Sequence, residues 1–455
     1  MTRFLQLLFI QLLLMSAVFA QISRLPRDPN QFAGGLGLSW IDGEPYYMFS
    51  LSPDFAIGKF GVGLDLNLRI NKEGDVRHED FNTISDYLNL IKYVRYGYKR
   101  DPFYVKVGGL DRAILGQGNI VYYYNNRASF DNRKIGIELD LDFGDFGFES
   151  LYGDLSEKGI FGLRGYTRPL HFTPAADIPI IGNLEVGASY ATDLNELAGV
   201  TNATIDPITR KLKVISDEGS TSIIGLDASL PLLRAKLVDI DLYTNYTKII
   251  NFGDGATAGI GFFFSGLGIL SLDLRFERWF NGDQFIPKYF NQFYELQRFV
   301  ADTSKGFLSS KVLSLKNVTS LGNAYYGELV IDLLNFVQIF GSYSRYDKIS
   351  NSGTLRLETD LSPKDASFVL RGYYDKFNII DEKDIFKLDD RSILTAEAGY
   401  KPIPYILVSI IYQWTYTPQR DFSDKVIGYK PQKRIEPRIS FIFPFGSGEQ
   451  VGEGR

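Results

Sequence analysis

From Leu270 to Arg278 the chain places Leu270, Leu272, Leu274 and Phe276 in strict alternation with Ser271, Asp273, Arg275 and Glu277. A period of two with chemically opposite faces is met by an extended strand that has oil on one side and water on the other. The pattern recurs. Val62, Leu64, Leu66, Leu68 and Ile70 alternate with Gly61, Gly63, Asp65, Asn67 and Arg69, and Ile135, Ile137, Leu139, Leu141 and Phe143 alternate with Lys134, Gly136, Glu138, Asp140 and Asp142. Val238, Ile240 and Leu242 do the same against Asp239, Asp241 and Tyr243, as do Leu355, Leu357 and Thr359 against Arg356, Glu358 and Asp360. Many such stretches run about 9 to 12 residues, the length a tilted membrane-crossing strand requires. A soluble β-sandwich also alternates, with its apolar face packed inward, and stands as the alternative at this point.

Connection lengths favour the membrane reading. Strands are predicted at 33–40, 46–51, 60–70, 91–99, 102–109, 133–141, 146–153, 160–167, 184–191, 221–230, 237–249, 256–264, 270–280, 322–332, 335–346, 353–361, 365–376, 392–400, 405–417 and 434–443. After even-numbered strands the chain mostly turns at once: Arg100-Asp101, Phe143-Gly144-Asp145, Pro231 to Lys236, Ser265 to Gly268, Leu333-Leu334, Ser362-Pro363-Lys364 and Pro402-Ile403-Pro404. Several of these carry the Gly, Pro or Asp that tight turns demand. After odd-numbered strands it often wanders, at Asn71 to Leu90, Leu110 to Asn132, Thr192 to Ser220, Asn281 to Leu321, Phe377 to Arg391 and Pro418 to Lys433. Short turns on one side and long loops on the other are the habit of a bacterial membrane barrel, and an even strand count leaves both ends on the periplasmic side. Two places break the rule. Arg168 to Asn183, with Pro169, Pro174 and Pro179, is a long connection on the short-turn side, so either a strand is miscounted nearby or the segment enters the lumen; Asp154 to Gly159 is a short one on the long-loop side. The fold expected is all-β: a single large antiparallel transmembrane β-barrel of about 18–20 strands.

The N-terminus suits that destination. Arg3 precedes an apolar stretch from Phe4 to Met15, and Val18 and Ala20 stand three and one before Gln21, the pattern of a cleavable secretory signal. An apolar core of about a dozen residues is too short to span a bilayer as a helix. Residues 1–20 are read as signal peptide, 21–445 as barrel and 446–455 as a periplasmic tail. No apolar run beyond Gln21 approaches the roughly 18 to 20 residues of a membrane-spanning helix. Without Arg3, 48 basic side chains face 54 acidic ones, a net charge of −6 that gives nucleic acid no electrostatic foothold. There is no cysteine, hence no disulfide, thiolate chemistry or cysteine-ligated zinc. Tyrosine (28), phenylalanine (35) and glycine (44) are plentiful against three methionines and two histidines, the balance of aromatic-girdled, tightly turning β-structure.

The chain end carries a further sign. Ile435, Ile439, Phe441, Phe443 and Phe445 share one face against Arg434, Glu436, Arg438 and Ser440. This last strand resembles the C-terminal signal by which the assembly machinery receives bacterial outer-membrane barrels, with the departure that Gly446 to Arg455 follow the aromatic. The resemblance is to porin-like outer-membrane barrels as an architecture. It implies residence in the bacterial outer membrane, with lipid and the assembly machinery as partners.

Little in the sequence performs chemistry. His78 and His171 lie in separate connections and read as solvated loop residues. Gly116-Gln117-Gly118 is a turn signal with no phosphate-binding lysine, and Asp140 to Asp145 lacks the distal glutamate of a calcium loop. No enzyme activity, cofactor or metal is expected. The polar faces instead supply lumen charges of both signs: Asp65, Arg69, Glu138, Asp140, Asp142, Asp239, Asp241, Asp273, Arg275, Glu277, Arg356, Glu358, Arg434 and Arg438. Each could line a hydrated pore or be taken up in salt bridges along the wall, and acids predominate, a hint of cation preference. Phe285, Tyr289, Phe293, Leu296 and Val300, and Phe81, Ile84, Leu88 and Ile91, recur at helical spacing, which is open to a helix that constricts or plugs the lumen, a helix on the extracellular rim, or no helix at all. Tyr122, Tyr123 and Tyr124, beside Asn125, Asn126 and Arg127, read as a membrane-interface girdle or as a sugar or peptide platform. The function expected is a porin-like channel for passive passage of small hydrophilic solutes. The alternatives are a plugged barrel acting in interaction, secretion or assembly, and a transporter of hydrophobic molecules.

Overall fold

The computed structural model describes residues 31–444 apart from 83, 100, 130, 207, 210, 265–268, 303–306, 320, 334–336, 362–365 and 422–425. The expected signal peptide and periplasmic tail, the turns at 265–268 and 362–364, and Arg100 and Leu334 therefore lie outside the described residues.

Strands form where the alternation predicts them. They are β1 (Gln31–Ile41), β2 (44–57), β3 (60–70), β4 (Ile91–Tyr96), β5 (Phe103–Gly108), β6 (Gly136–Asp142), β7 (Phe146–Tyr152), β8 (Ile160–Thr167), β9 (Glu185–Asp193) and β10 (Ser222–Arg234). The second half comprises β11 (Val238–Ile249), β12 (Asp254–Phe264), β13 (Leu270–Asn281), β14 (Ala324–Leu333), β15 (Val337–Tyr346), β16 (Gly353–Leu361), β17 (Phe368–Ile379), β18 (Ser392–Ile403), β19 (Ile406–Arg420) and β20 (Val426–Pro444). β2 and β3 are each interrupted once, near Pro53 and at Asp65, but stay paired on both sides of the break. Each strand pairs antiparallel with its successor, through the long connections as well as the short: β9 with β10, β13 with β14. β20 then pairs with β1, from Gln31↔Pro444 to Ile41↔Arg434, and closes the ring.

Closure leaves the sheet no edge, and the side chains sort accordingly. Leu226 is 62% exposed and Tyr47 63%, whereas Arg164 and Arg434 are at 0%. Exposed apolar and buried arginine side chains invert the habit of a soluble protein, so the wall faces hydrocarbon outside and polar groups inside. This is a transmembrane β-barrel of the outer-membrane type, and the sandwich alternative is excluded.

Connection parity holds as well. After even-numbered strands the chain turns at 58–59, 143–145, 235–237 and 404–405, and the long connections 71–90, 109–135, 194–221, 282–323 and 380–391 all follow odd-numbered ones. The Arg168 to Asn183 exception costs no strand: it folds as three short 3-10 turns, Pro169–Phe172, Pro174–Asp177 and Ile181–Asn183, with Phe172, Ile178 and Ile181 exposed rather than in the lumen. One long loop is corrected. The expected connection from Pro418 to Lys433 is mostly strand, because β19 and β20 continue past the wall with register intact to Gln419↔Gly428.

Replacing Leu226 with Arg puts a cation on the lipid face, at a cost of about 2–4 kcal/mol if the site is near the bilayer midplane. Urea titration of the folded barrel in lipid vesicles measures this, and a loss under about 1 kcal/mol would remove Leu226 from the hydrocarbon.

Candidate functional site

A ring of twenty strands is wider than its own inward side chains can fill. Two of the long connections fill it. In 109–135 and 282–323, Leu110, Leu115, Ile120, Val121, Tyr124, Phe285, Tyr289, Phe290, Tyr294 and Leu315 are buried in one cluster with Leu151, Ile160, Ala191, Ile223 and Ile249 from the inner faces of β7 to β11. A second cluster sets Tyr122 and Tyr123 against Trp279, Ala324, Tyr326 and Phe340 on β13 to β15, and a third sets Phe293 against Tyr373, Ile393 and Tyr416 on β17 to β19. The inserted segments thus reach the wall on most of its circumference.

The wall is shaped for them. A Cβ on Gly255 would stand 2.4 Å from the Phe285 ring, and one on Gly136 2.6 Å from Leu110, so each glycine leaves a recess that a plug side chain occupies. The two segments also hold each other, by a short parallel pairing of Val121 with Phe290 and Tyr122 with Asn291. Above them, the hairpin of Val200–Ile205 and Leu212–Asp217 joins Phe307–Ser310 and Phe299–Asp302 in a four-stranded sheet on the long-loop side.

The fold decides three readings of the long connections that the sequence leaves open. The helical spacing over Gln284 to Val300 yields one turn of helix, Tyr294–Gln297, between extended stretches, because the residues at that spacing are held by different parts of the wall. Over Glu79 to Lys92 the helix is limited to Ile84–Leu88 after a 3-10 turn at His78–Asp80. Tyr122, Tyr123 and Tyr124 are no lipid girdle: all three are at most 4% exposed, inside the lumen.

The lumen charges sit on the polar faces, mostly in ion pairs. Asp65 accepts from Arg133 (2.9 Å) and Asn67 (2.8 Å), and Arg69 bridges Glu436 (3.2 Å) and Asp80 (3.3 Å). Glu138 and Asp140 face Lys99 at 3.2 and 3.6 Å, Asp142 meets Arg168 at 3.2 Å, and Asp241 meets Arg234 at 2.5 Å. Arg275 donates to the Tyr122 hydroxyl, and Glu277 gathers Lys288, Tyr243 and Trp279. Arg356 pairs with Glu358 at 2.8 Å, Arg434 with Asp131 at 2.6 Å and Arg438 with Glu397 at 3.6 Å. Asp239 and Asp273 share the inward face toward the short-turn side, where Asp241 and Asp332 also lie and side chains are only half-buried.

Other residues complete the site. Asp131 of the first plug segment receives both Arg77 Nη1 and Nη2, at 2.8 and 2.9 Å, besides Arg434. Arg164 on β8 joins Glu149, Glu185 and Asp227, and Glu149 also accepts the backbone N–H of Gly116 at 2.7 Å, where the Gly116–Gly118 turn touches the wall. Glu295 accepts from Tyr124, Lys134 and Arg298, and Arg298 reaches Asp193. Burial alone would raise the Glu295 carboxyl, but Lys134 and Arg298 push it down to about 2. The β7 to β10 alternation already puts Glu149, Arg164, Glu185 and Asp227 on the inward face; Asp131 and Glu295 lie in irregular segments with no period to reveal them. His78 and His171 stay apart, His171 Nδ1 lying 2.9 Å from Asp145, and no cluster of metal-ligating residues occurs among the described residues.

No family model matches the chain, and no curated protein does. Solved structures do. OccAB2 of Acinetobacter baumannii is similar over 92% of this chain and 98% of its own, at 8% identity and TM-score 0.31. Wzi of Escherichia coli, an outer-membrane carbohydrate-binding β-barrel involved in group 1 capsule assembly, matches over 92% and 85%, at 10% identity and TM-score 0.35. A mutant of the ferric enterobactin receptor PfeA of Pseudomonas aeruginosa matches over 92% and 81%, at 8% identity and TM-score 0.35.

Asp131→Asn leaves Arg77 and Arg434 buried around a neutral group and is expected to cost about 3–5 kcal/mol of plug docking, read as proteolytic release of 109–135 from a barrel that stays folded. Glu295 gives the pH dependence. Its folded pKa lies below the ordinary 4.5, so its contribution is complete above that pH and is lost as pH falls toward 2. Hydrogen exchange of the plug amides between pH 5 and 2.5 should show this loss in the native chain and not in Glu295→Gln.

Proposed function

We propose that this protein is a porin-like solute-transport barrel whose resting passage is closed by its own two inserted segments, and that its cargo is small and hydrophilic. The observation that carries the reading is the division of the lumen. In the long-loop half the inserted segments pack against most of the wall, whereas the short-turn half keeps a charged inner wall, with Asp142, Asp239, Asp241, Asp273, Asp332 and Asp360 half-buried rather than sealed. Such a wall suits water and polar solutes and is hostile to an oily cargo, which speaks against the transport of hydrophobic molecules. The segments that close it are connections, the part of a barrel that moves without breaking the wall.

The second reading is a permanently plugged barrel that acts through its loops. It is favoured by the buried ion pairs that fasten Asp131, Arg133 and Glu295, since these cost energy to part.

Planar-bilayer recording separates the two. The full chain is expected to be closed with brief openings, and a variant with 113–124 replaced by a short Gly-Ser linker to conduct steadily. The acid-rich inner wall predicts a reversal potential displaced toward cations under a salt gradient. Silence from both chains would overturn the transport reading in favour of the plugged one.

A further inference from the structure

On the long-loop side the plug and the wall leave a recess of about 260 Å³, between 132–134, 157–158, 195–197, 295–299 and the 426–429 stretch of β20. It is a little smaller than the roughly 300–1,000 Å³ of sites for drug-sized ligands, which suits a molecule about the size of one sugar ring. Its floor is charged, but each charge there already has a partner. Lys134 lies 2.9 Å from Glu295 and 3.6 Å from Asp154, and Arg298 is shared between Glu295 and Asp193. A charged ligand pressed onto such a floor would have to compete with these pairs for a counter-charge.

The rim offers donors and acceptors together. The side-chain oxygen of Asn195 accepts the Leu197 N–H, which presents its amide nitrogen as a donor, and Asn132 donates to the Tyr429 hydroxyl. Lys158 and Glu196 stand 3.2 Å apart, each more than half exposed, one supplying donors and the other acceptors. Phe299 and Tyr429 add aromatic surface to the same recess. A hydroxyl both donates and accepts, so a set of paired opposite charges, amides and an aromatic wall matches a polyol with C–H faces better than it matches any ion.

We propose that this recess binds a neutral polyhydroxylated ligand, a sugar residue either free in solution or within a polymer. The proposal does not depend on transport, because a barrel that conducts nothing could still carry the site.

The test is saturation-transfer NMR on the detergent-solubilised full chain, with methyl α-D-glucoside, D-glucosamine, D-glucuronate and dextran as probes. Transfer to the methyl glucoside or to dextran, with glucosamine and glucuronate at least tenfold weaker, is the expected result. The methyl glucoside alone would mark a free solute as the source, and dextran a polymer. The exposed rim variant Asn195→Ala with Glu196→Ala should weaken the signal at least tenfold, as should Tyr429→Leu, with the β-barrel circular dichroism unchanged in both. No transfer to either neutral probe would overturn the proposal, as would preference for a charged probe or a signal that survives both variants.

Discussion

The pairing of β20 with β1 is the constraint on which the rest of the molecule depends. Within hydrocarbon an unpaired backbone N–H or C=O costs several kcal/mol, so a sheet that crosses a membrane has to close. From Gln31↔Pro444 to Ile41↔Arg434 the first and last strands supply that closure, which makes the last strand structural from Arg434 onward. Closure also fixes the faces. With neighbours antiparallel and in register apart from a few shifts, mostly near strand ends, one parity of each strand is committed to lipid and the other to the lumen, so Leu226 is exposed and Arg164 buried by the same geometry.

A closed wall of this circumference then creates a filling problem that it cannot solve itself. The solution draws on connections, and it explains why wall and loops are matched at particular residues. Gly136 and Gly255 are bare where Leu110 and Phe285 dock, and Glu149 is turned to the backbone of Gly116. Charges brought inside must be compensated, and Asp131 between Arg77 and Arg434, or Arg164 among Glu149, Glu185 and Asp227, shows the form this takes. Such clusters add less net stability than their number suggests, because desolvation offsets the attraction; what they add is position, since a plug shifted by one residue could set the neutral Asn132 where Asp131 stands and leave Arg77 and Arg434 buried without a carboxylate.

The wall was legible in the sequence because it obeys one rule at every position. Alternation gave the strands nearly one for one, and connection parity gave their order around the ring. The outer parts of β19 and β20 are not legible as strand, since Pro418 and Pro431 lie in a stretch that projects beyond the wall and pairs only with its own hairpin partner, where a proline is tolerated and alternation has no lipid face to serve. The plug was legible only in part. Phe285, Tyr289 and Phe293 recur at helical spacing, which leaves helix and irregular chain equally open; in the fold Phe285 docks at Gly255 of β12, Tyr289 in the cluster with β7 to β11 and Phe293 against β17 to β19. Irregular chain carries no period, so Asp131 and Glu295, which fasten the plug, look like any other loop carboxylates until the fold brings Arg77, Arg434 and Lys134 to them.

The two plug segments are bound to each other as well as to the wall, and this governs how the lumen could open. Tyr124 of the first donates to Glu295 of the second, Lys134 pairs with the same carboxylate, and the Val121–Phe290 pairing ties their backbones. Moving one alone would strip Glu295 of Lys134 and Tyr124 while leaving it buried beside Arg298, whereas moving both together keeps that network and breaks the contacts to the wall. Both segments touch the wall at several staves: 109–135 through Asp131 on β20 and Arg133 on β3, and 282–323 through Phe293 on β17 to β19 and Tyr294 and Arg298 on Asp193 of β9. The plug is therefore better regarded as one body with two tethers than as two independent loops, and an opening that preserves its internal pairs is the less costly one.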